Sequence, residues 1–182
     1  MRAIDRMLQR WRIAKARPFI LPGSRVLDIG SVDGVLFEQL SLTNTQSLGI
    51  DPTLKQDVTL GQARLIAGFF PGSMPAVEPF DAITMLAVLE HFPEAEYESL
   101  ARGCAQYLRK GGHLIITVPS AAVDHILAIL KFLRLIDGMS LEEHHGFEVN
   151  QTPAIFSGNN FRLVRQTTFQ LGLNHLFVFE RV

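Results

Sequence analysis

Cysteine is almost missing from this chain: Cys104 is the only one among 182 residues. No internal disulfide can form, which suits a reducing compartment and sets aside the cross-linked secreted scaffolds. Long apolar runs are missing too. The most apolar stretch, ILAILKFLRLI at 126–136, is interrupted by Lys131 and Arg134, whereas a membrane span needs about 20 mostly apolar residues in a row. There is no excess of one charge, with 17 basic and 18 acidic residues and a net charge of −1. A nucleic-acid binder would show a broadly basic footprint instead. The N-terminus is basic but lacks the apolar segment of a secretory signal. These absences lead us to expect a cytoplasmic protein with no nucleic-acid partner and no stable membrane insertion. They leave the oligomeric state open.

Hydrophobic residues make up 47% of the chain and charged residues 19%, the balance of a globular protein. The length fits one domain, 1–182, with a full-sized core. The first 17 residues carry Arg2, Arg6, Arg10, Arg12, Lys15 and Arg17 against a single acid, Asp5. Ile4, Met7, Leu8 and Trp11 recur there at helical spacing. This predicts an amphipathic helix within 1–20 that packs on the domain, with membrane-surface contact or a lid over a site as the other readings.

Beyond Pro22-Gly23, strands and helices alternate. RVLDIG (25–30) reads as a strand, GVLFEQL (34–40) as a helix with Val35, Leu36 and Leu40 inward, SLGID (47–51) as a strand and ARLIAG (63–68) as a third. Residues 52–62 read as loop with one helical turn, and 68–79, rich in proline and glycine, as loop. FDAITMLAV (80–88) has the continuous apolar run of a strand covered on both faces. Residues 93–112 read as a helix, with Pro93 and acids at its start, Arg109 and Lys110 in its last turn and Gly111-Gly112 as its stop. HLIITVP (113–119) is a buried strand, 121–137 an apolar helix, and 161–181 a hairpin about Gly172. The sum is an α/β protein whose mostly parallel sheet has helices on both faces and a C-terminal antiparallel hairpin.

In such a sheet ligands bind beyond the carboxyl ends of the strands. Asp28 to Gly34 follow the first strand, Asp51 closes the second, and Glu90-His91 follow the strand at 80–88. The spacing between the first loop and Asp51 suits an acid that accepts from a ribose diol. Gly30 lets backbone approach a ligand, and Gly34 permits tight packing of the following helix. Val32 and Asp33, however, would crowd and repel a diphosphate on that loop, which argues against a dinucleotide.

VLDIGSVDG, GID, FDAITMLAVLEHF and LRKGGHLIITVP, in that order, resemble the class I S-adenosylmethionine-dependent methyltransferases of the small-molecule, quinone-biosynthesis-like type. The resemblance covers residues 25–119, with the closing hairpin matching 161–181, and implies a Rossmann-like fold. It implies that Asp28, Gly30, Ser31 and Gly34 hold the methionine part of the cofactor S-adenosylmethionine. Asp51 would bind the ribose, with Pro52 next to the adenine. Gly68 and Phe69 would lie beside the adenine, and Leu86 and Ala87 near the sulfonium. LEHF (89–92), with Glu90, matches a signature at the active-site rim. Two departures stand out. Val32 replaces the usual middle glycine, and Phe69-Phe70 replace an acid that would bond the adenine amine, offering apolar stacking instead. The implied activity is methyl transfer to a small-molecule acceptor, and the second reading is a non-catalytic binding or regulatory protein on the same fold.

The candidates for a base are His91, His144, His145 and Glu90. Each has a plainer role: Glu90 as cap of the following helix, His91 as a structural hydrogen-bonding group, and EEHHGF (142–147) as a solvent-facing loop. Adjacent histidines rarely share one ion, so no metal is expected. The apolar stretch within 121–160 reads as core packing or as a substrate cap whose exposed part would suit an apolar acceptor or a partner chain.

Overall fold

The computed structural model describes residues 3–120, 148–158 and 160–182. The predicted helix at 121–137, most of the predicted cap, and His144 and His145 lie outside the described residues.

Eight strands form one sheet: β1 (Val26–Ile29), β2 (Leu48–Asp51), β3 (Val58–Leu60), β4 (Ala63–Ala67), β5 (Phe80–Leu86), β6 (Leu108–Pro119), β7 (Phe161–Phe169) and β8 (Asn174–Arg181). Their spatial order is β3-β4-β2-β1-β5-β6-β8-β7. β4, β2, β1, β5 and β6 run parallel; β3 pairs antiparallel to β4, and β8 lies antiparallel between β6 and β7. The chain winds outward from β1 through β2 to β4, then crosses back to β5 on the other side of β1. The strand order therefore reverses between β1 and β5, where an open sheet leaves a crevice.

Helices cover both faces, as expected. On one face α3 (Tyr97–Tyr107) and α4 (Thr152–Phe156) close a core that contains Leu100, Cys104, Ile83, Met85, Phe156, Phe177 and Phe179. On the other, α1 (Ala3–Ala16) and α2 (Val35–Gln39) pack Ile13, Ala16, Leu36 and Phe37 against Val26, Ile115 and Val178. β1 is buried along its whole length, and its Leu27 and Val26 enter opposite cores. This is the two-sided burial that a parallel strand requires.

Four local readings change. The segment 52–62 contains the edge strand β3, which joins β4 through a tight turn at Gly61, φ +64°. Its residues are mostly exposed, so it lacks the buried alternation that marks a strand. The helix expected over 93–112 is confined to Tyr97–Tyr107, preceded by a 3-10 turn at Glu94–Glu96. Leu108 already has extended backbone (φ −103°, ψ 133°), and Arg109 donates from Nε to Asp81 Oδ1 at 2.6 Å, which draws the segment onto the edge of β5. Gly111-Gly112 thus lie inside β6, where a Cβ on Gly112 would meet the Asp81 carbonyl oxygen at 2.7 Å. On α2 the buried residues are Leu36 and Phe37, while Val35 and Leu40 are half-buried. On α1 it is Ile13 and Ala16 that face the core; Met7 and Trp11 are exposed.

Candidate functional site

A cavity of about 740 Å³ opens at the reversal point, within the size range of small-molecule sites. Ile29 and Gly30 from β1, Ile50 and Asp51 from β2, and Leu86 and Ala87 from β5 form its floor. Pro52, Thr53, Gly68 and Phe69 form one side; Val88, His91 and Phe92 form another. Gln9 and Arg12 of α1 close over the first loop.

Of the residues expected from sequence, Gly30, Asp51, Pro52, Gly68, Phe69, Leu86, Ala87 and His91 meet at this cavity. Asp28, Ser31, Gly34 and Glu90 do not line it. Asp28 is buried beneath the loop and accepts from Thr84 Oγ1 at 2.6 Å. Burial pushes its carboxyl up to about 7, against the pull of the Thr84 and Ser31 hydroxyls, with the Asp33 and Asp51 charges adding to the rise. Ser31 is buried against Gly49 of β2, where a Cβ would lie 2.5 Å from the serine oxygen. Gly34 precedes α2 with φ +69°, and a Cβ there would strike Leu60 at 2.4 Å. Glu90 lies buried in the 3-10 turn Leu89–His91, six residues ahead of the residue that caps α3, so it does not cap that helix.

Three backbone features shape the floor. Gly30 has φ +85°, and its N–H donates to the Ile50 carbonyl at 2.9 Å, tying the first loop to β2. A Cβ on Gly30 would come within 2.3 Å of Val88, so glycine is required for packing as well as for the turn. Ala87 holds φ +59°, an uncommon conformation for a residue with a side chain, and donates to the Thr117 carbonyl at 2.8 Å. That bond fixes the end of β5 at the cavity.

Asp51 is prepared to accept. Its Oδ1 takes the Thr53 N–H at 2.7 Å and the Thr53 hydroxyl at 2.5 Å, an Asx-type turn that orients the carboxylate and leaves Oδ2 for an incoming donor pair. Sequence reasoning missed Thr53, although an acid followed two residues later by threonine is a legible turn signal. Phe69 is 73% exposed, its ring at the cavity while Ser73 ties its backbone on both sides. Val32 also lines the cavity and is 51% exposed.

Asp33 does not face the cavity. Its Oδ1 accepts from the Val35 N–H at 3.2 Å and from Gln9 Nε2 at 3.0 Å. The carboxylate therefore occupies the N-terminus of α2 and latches α1 to the loop. Arg12 is held from the far side, its Nε donating to Asn174 Oδ1 at 3.4 Å. Sequence reasoning reached this helix only through its lid alternative. Among the described residues no group of three or more His, Cys, Asp or Glu could hold a metal ion.

Comparisons with known proteins agree with this geometry. The sequence matches the methyltransferase domain family over residues 2–166. Ubiquinone biosynthesis O-methyltransferase of Chromobacterium violaceum is 29% identical over 123 residues, covering 60% of this chain and 51% of that protein. The enzyme of the same name from Ralstonia nicotianae is 31% identical over 120 residues, covering 60% and 50%. The chain thus spans about half the length of the curated relatives it matches. Among solved structures, N-methyltransferase NodS from Bradyrhizobium japonicum superposes with a TM-score of 0.68 at 16% identity, over 97% of this chain and 98% of that one. Magnesium protoporphyrin IX methyltransferase from Synechocystis gives 0.62 at 16% identity, over 97% and 82%. The sheet order is thus a Rossmann-like one shared with methyltransferases, and the family match runs from α1 into β7. This chain belongs to the methyltransferase domain family.

Proposed function

We propose that the cavity binds S-adenosylmethionine and that the protein transfers its methyl group to a small-molecule acceptor. The observation that carries this reading is the pairing of two strand ends. Asp51 presents an oriented carboxylate at the end of β2, and Gly30 presents side-chain-free backbone at the end of β1, on one continuous floor. A ribose diol suits the carboxylate, and an amino-acid tail suits the loop under Gln9 and Arg12. The donor set fits the cofactor and does not fit a dinucleotide. A pyrophosphate would need the α2 N-terminus, which the Asp33 carboxylate already occupies.

When bound, S-adenosylmethionine supplies a methyl group already activated by its positive sulfur. The chain's own work is then placement and exclusion of water. Asp51 would fix the sugar, Pro52 and the exposed Phe69 would flank the adenine, and Leu86 and the strained Ala87 would border the reacting end. The residues that would hold the cofactor need only keep an acceptor's lone pair in line with the methyl, since the donor would leave as a neutral sulfide. A hydroxyl acceptor must also lose a proton, and our candidate to take it is His91, which is exposed and lines the cavity. The apolar walls at Val88 and Phe92 suit an apolar acceptor. The curated relatives are named O-methyltransferases of ubiquinone biosynthesis, which makes hydroxyl compounds the first acceptors to test.

Calorimetric titration tests the cofactor. S-adenosylmethionine and S-adenosylhomocysteine should bind at about micromolar strength or tighter, and NADH should not bind. Binding of NADH in preference to both would remove the reading. Val32 at the cavity wall favours a second reading, a binding protein without catalysis. Tight cofactor binding with no methyl transfer to any phenol, amine or carbon acid would select it.

A further inference from the structure

The helix α1 presents three sides, and only two are used by the domain. Ile13 and Ala16 enter the core, while Gln9 and Arg12 reach the cavity. The third side faces away from the protein. Met7, Trp11 and Ala14 follow one another there at i, i+4 and i+7, all exposed, with Met7 at 55% and Trp11 at 44%. Arg6 and Arg10 flank this apolar ridge on one side and Lys15 on the other, all exposed. None of the three enters an ion pair with a described residue. No acidic residue occurs anywhere from Arg6 to Arg17.

We propose that this outer face of α1 is a docking surface for an anionic lipid bilayer, which would bring the mouth of the cavity to the membrane surface. An apolar ridge centred on tryptophan and bordered by long cationic side chains matches a bilayer interface. The rings and thioether enter the headgroup boundary, and the cations remain at phosphate level. The charge distribution selects this face over others. Residues 1–17 hold six cations and one acid, whereas the rest of the chain holds eleven cations and seventeen acids. An anionic surface therefore attracts α1 and repels the body, which orients the protein. A second copy docking symmetrically would set two such cationic faces against each other. Nucleic acid would satisfy the cations but not the exposed Met7 and Trp11. The docking does not depend on the methyl-transfer reading, and vesicle binding, Trp11 emission and the thermal melt test it whether or not that reading holds.

Trp11 is the only tryptophan, so its emission reports on this face alone. The full chain should sediment with phosphatidylcholine vesicles containing phosphatidylglycerol, and not with phosphatidylcholine alone. Trp11 emission should shift to the blue, and binding should weaken as salt rises. Arg6→Glu/Arg10→Glu and Met7→Ser/Trp11→Ser should each reduce vesicle binding by about tenfold or more. Both variants should keep the thermal melt and the S-adenosylhomocysteine affinity of the parent, showing that the fold and cavity survive. Absence of vesicle binding would overturn the proposal. So would binding without a Trp11 shift, which assigns another face. A blue shift that accompanies dimerisation without lipid would do the same, by assigning the face to a second copy.

Discussion

Asp28 and Thr84 are register partners on adjacent parallel strands, and the Thr84 hydroxyl donates to the Asp28 carboxylate at 2.6 Å beneath the cavity floor. The acid is thereby held in a buried position, and burial pushes its carboxyl up to about 7. A raised folded-state value means that the native protein keeps a proton the unfolded chain gives up. The stability linked to this group is full below about pH 4 and is lost as the pH rises toward about 7, by about 1.4 kcal/mol per unit at most. Asp28→Asn removes the titration while keeping the shape. Its stability relative to the parent should therefore rise between about pH 5 and about pH 8, by roughly 2–3 kcal/mol, read from urea midpoints. Parallel profiles for the two proteins would show that Asp28 is ionised throughout.

Asp51 differs, because its carboxylate lines the cavity and is oriented by Thr53. Asp51→Ala should weaken S-adenosylhomocysteine binding by about 1–3 kcal/mol, the usual loss for hydrogen bonds to a charged group. Thr53→Val removes the orienting hydroxyl and should weaken it by about 0.5–1.5 kcal/mol, the range for one ordinary hydrogen bond. Unchanged calorimetric affinity in Asp51→Ala would mean that the sugar is bound elsewhere.

Val32 stands where a glycine would give the cofactor more room, yet it is half exposed beside an open cavity of about 740 Å³. Val32→Gly should therefore change S-adenosylhomocysteine affinity by less than about 1 kcal/mol, the scale of the added backbone freedom. Val32→Trp should abolish binding by filling the space. A gain of about tenfold or more in Val32→Gly would identify the valine as a plug and favour the non-catalytic reading.

Much of this was legible in the sequence, and the limits have physical causes. β1, β2, β5 and the closing hairpin were recognisable because two-sided or alternating burial writes itself into residue type. The edge strand β3 was not, since a mostly exposed edge carries no such mark. Residues 108–112 read as the end of a helix because cations and paired glycines commonly stop helices; the Arg109–Asp81 pair that pulls them into β6 is a contact 28 residues apart, which periodicity does not report. At the site, the residues at strand ends were found and those from α1 were not, because a helix's docking angle decides which side reaches the cavity. Met7 and Trp11 looked like its buried stripe, and Ile13 and Ala16 form it. The sequence marks Gly30 and Gly34 but does not say what fills the space each leaves: Val88 at Gly30 and Leu60 at Gly34.

That space gives the last prediction. Gly30 carries two separable constraints, its φ of +85° and the approach of Val88 to within 2.3 Å of where a Cβ would sit. Gly30→Ala meets both, and should destabilise the fold by about 2–5 kcal/mol in denaturant titration, from about 1–2 of left-handed strain and about 1–3 of overpacking. Val88→Ala alone should cost about 1–2 kcal/mol for a half-buried side chain. In the double variant the clash is gone and only the backbone strain persists, so the two effects should fall short of additive by about 1–3 kcal/mol, the overpacking that is relieved. Simple additivity would show that the loop relieves the contact by moving. In that case Gly30→Ala should disturb the Gly30–Ile50 bond, and with it the floor under Asp51, so cofactor affinity would fall along with stability.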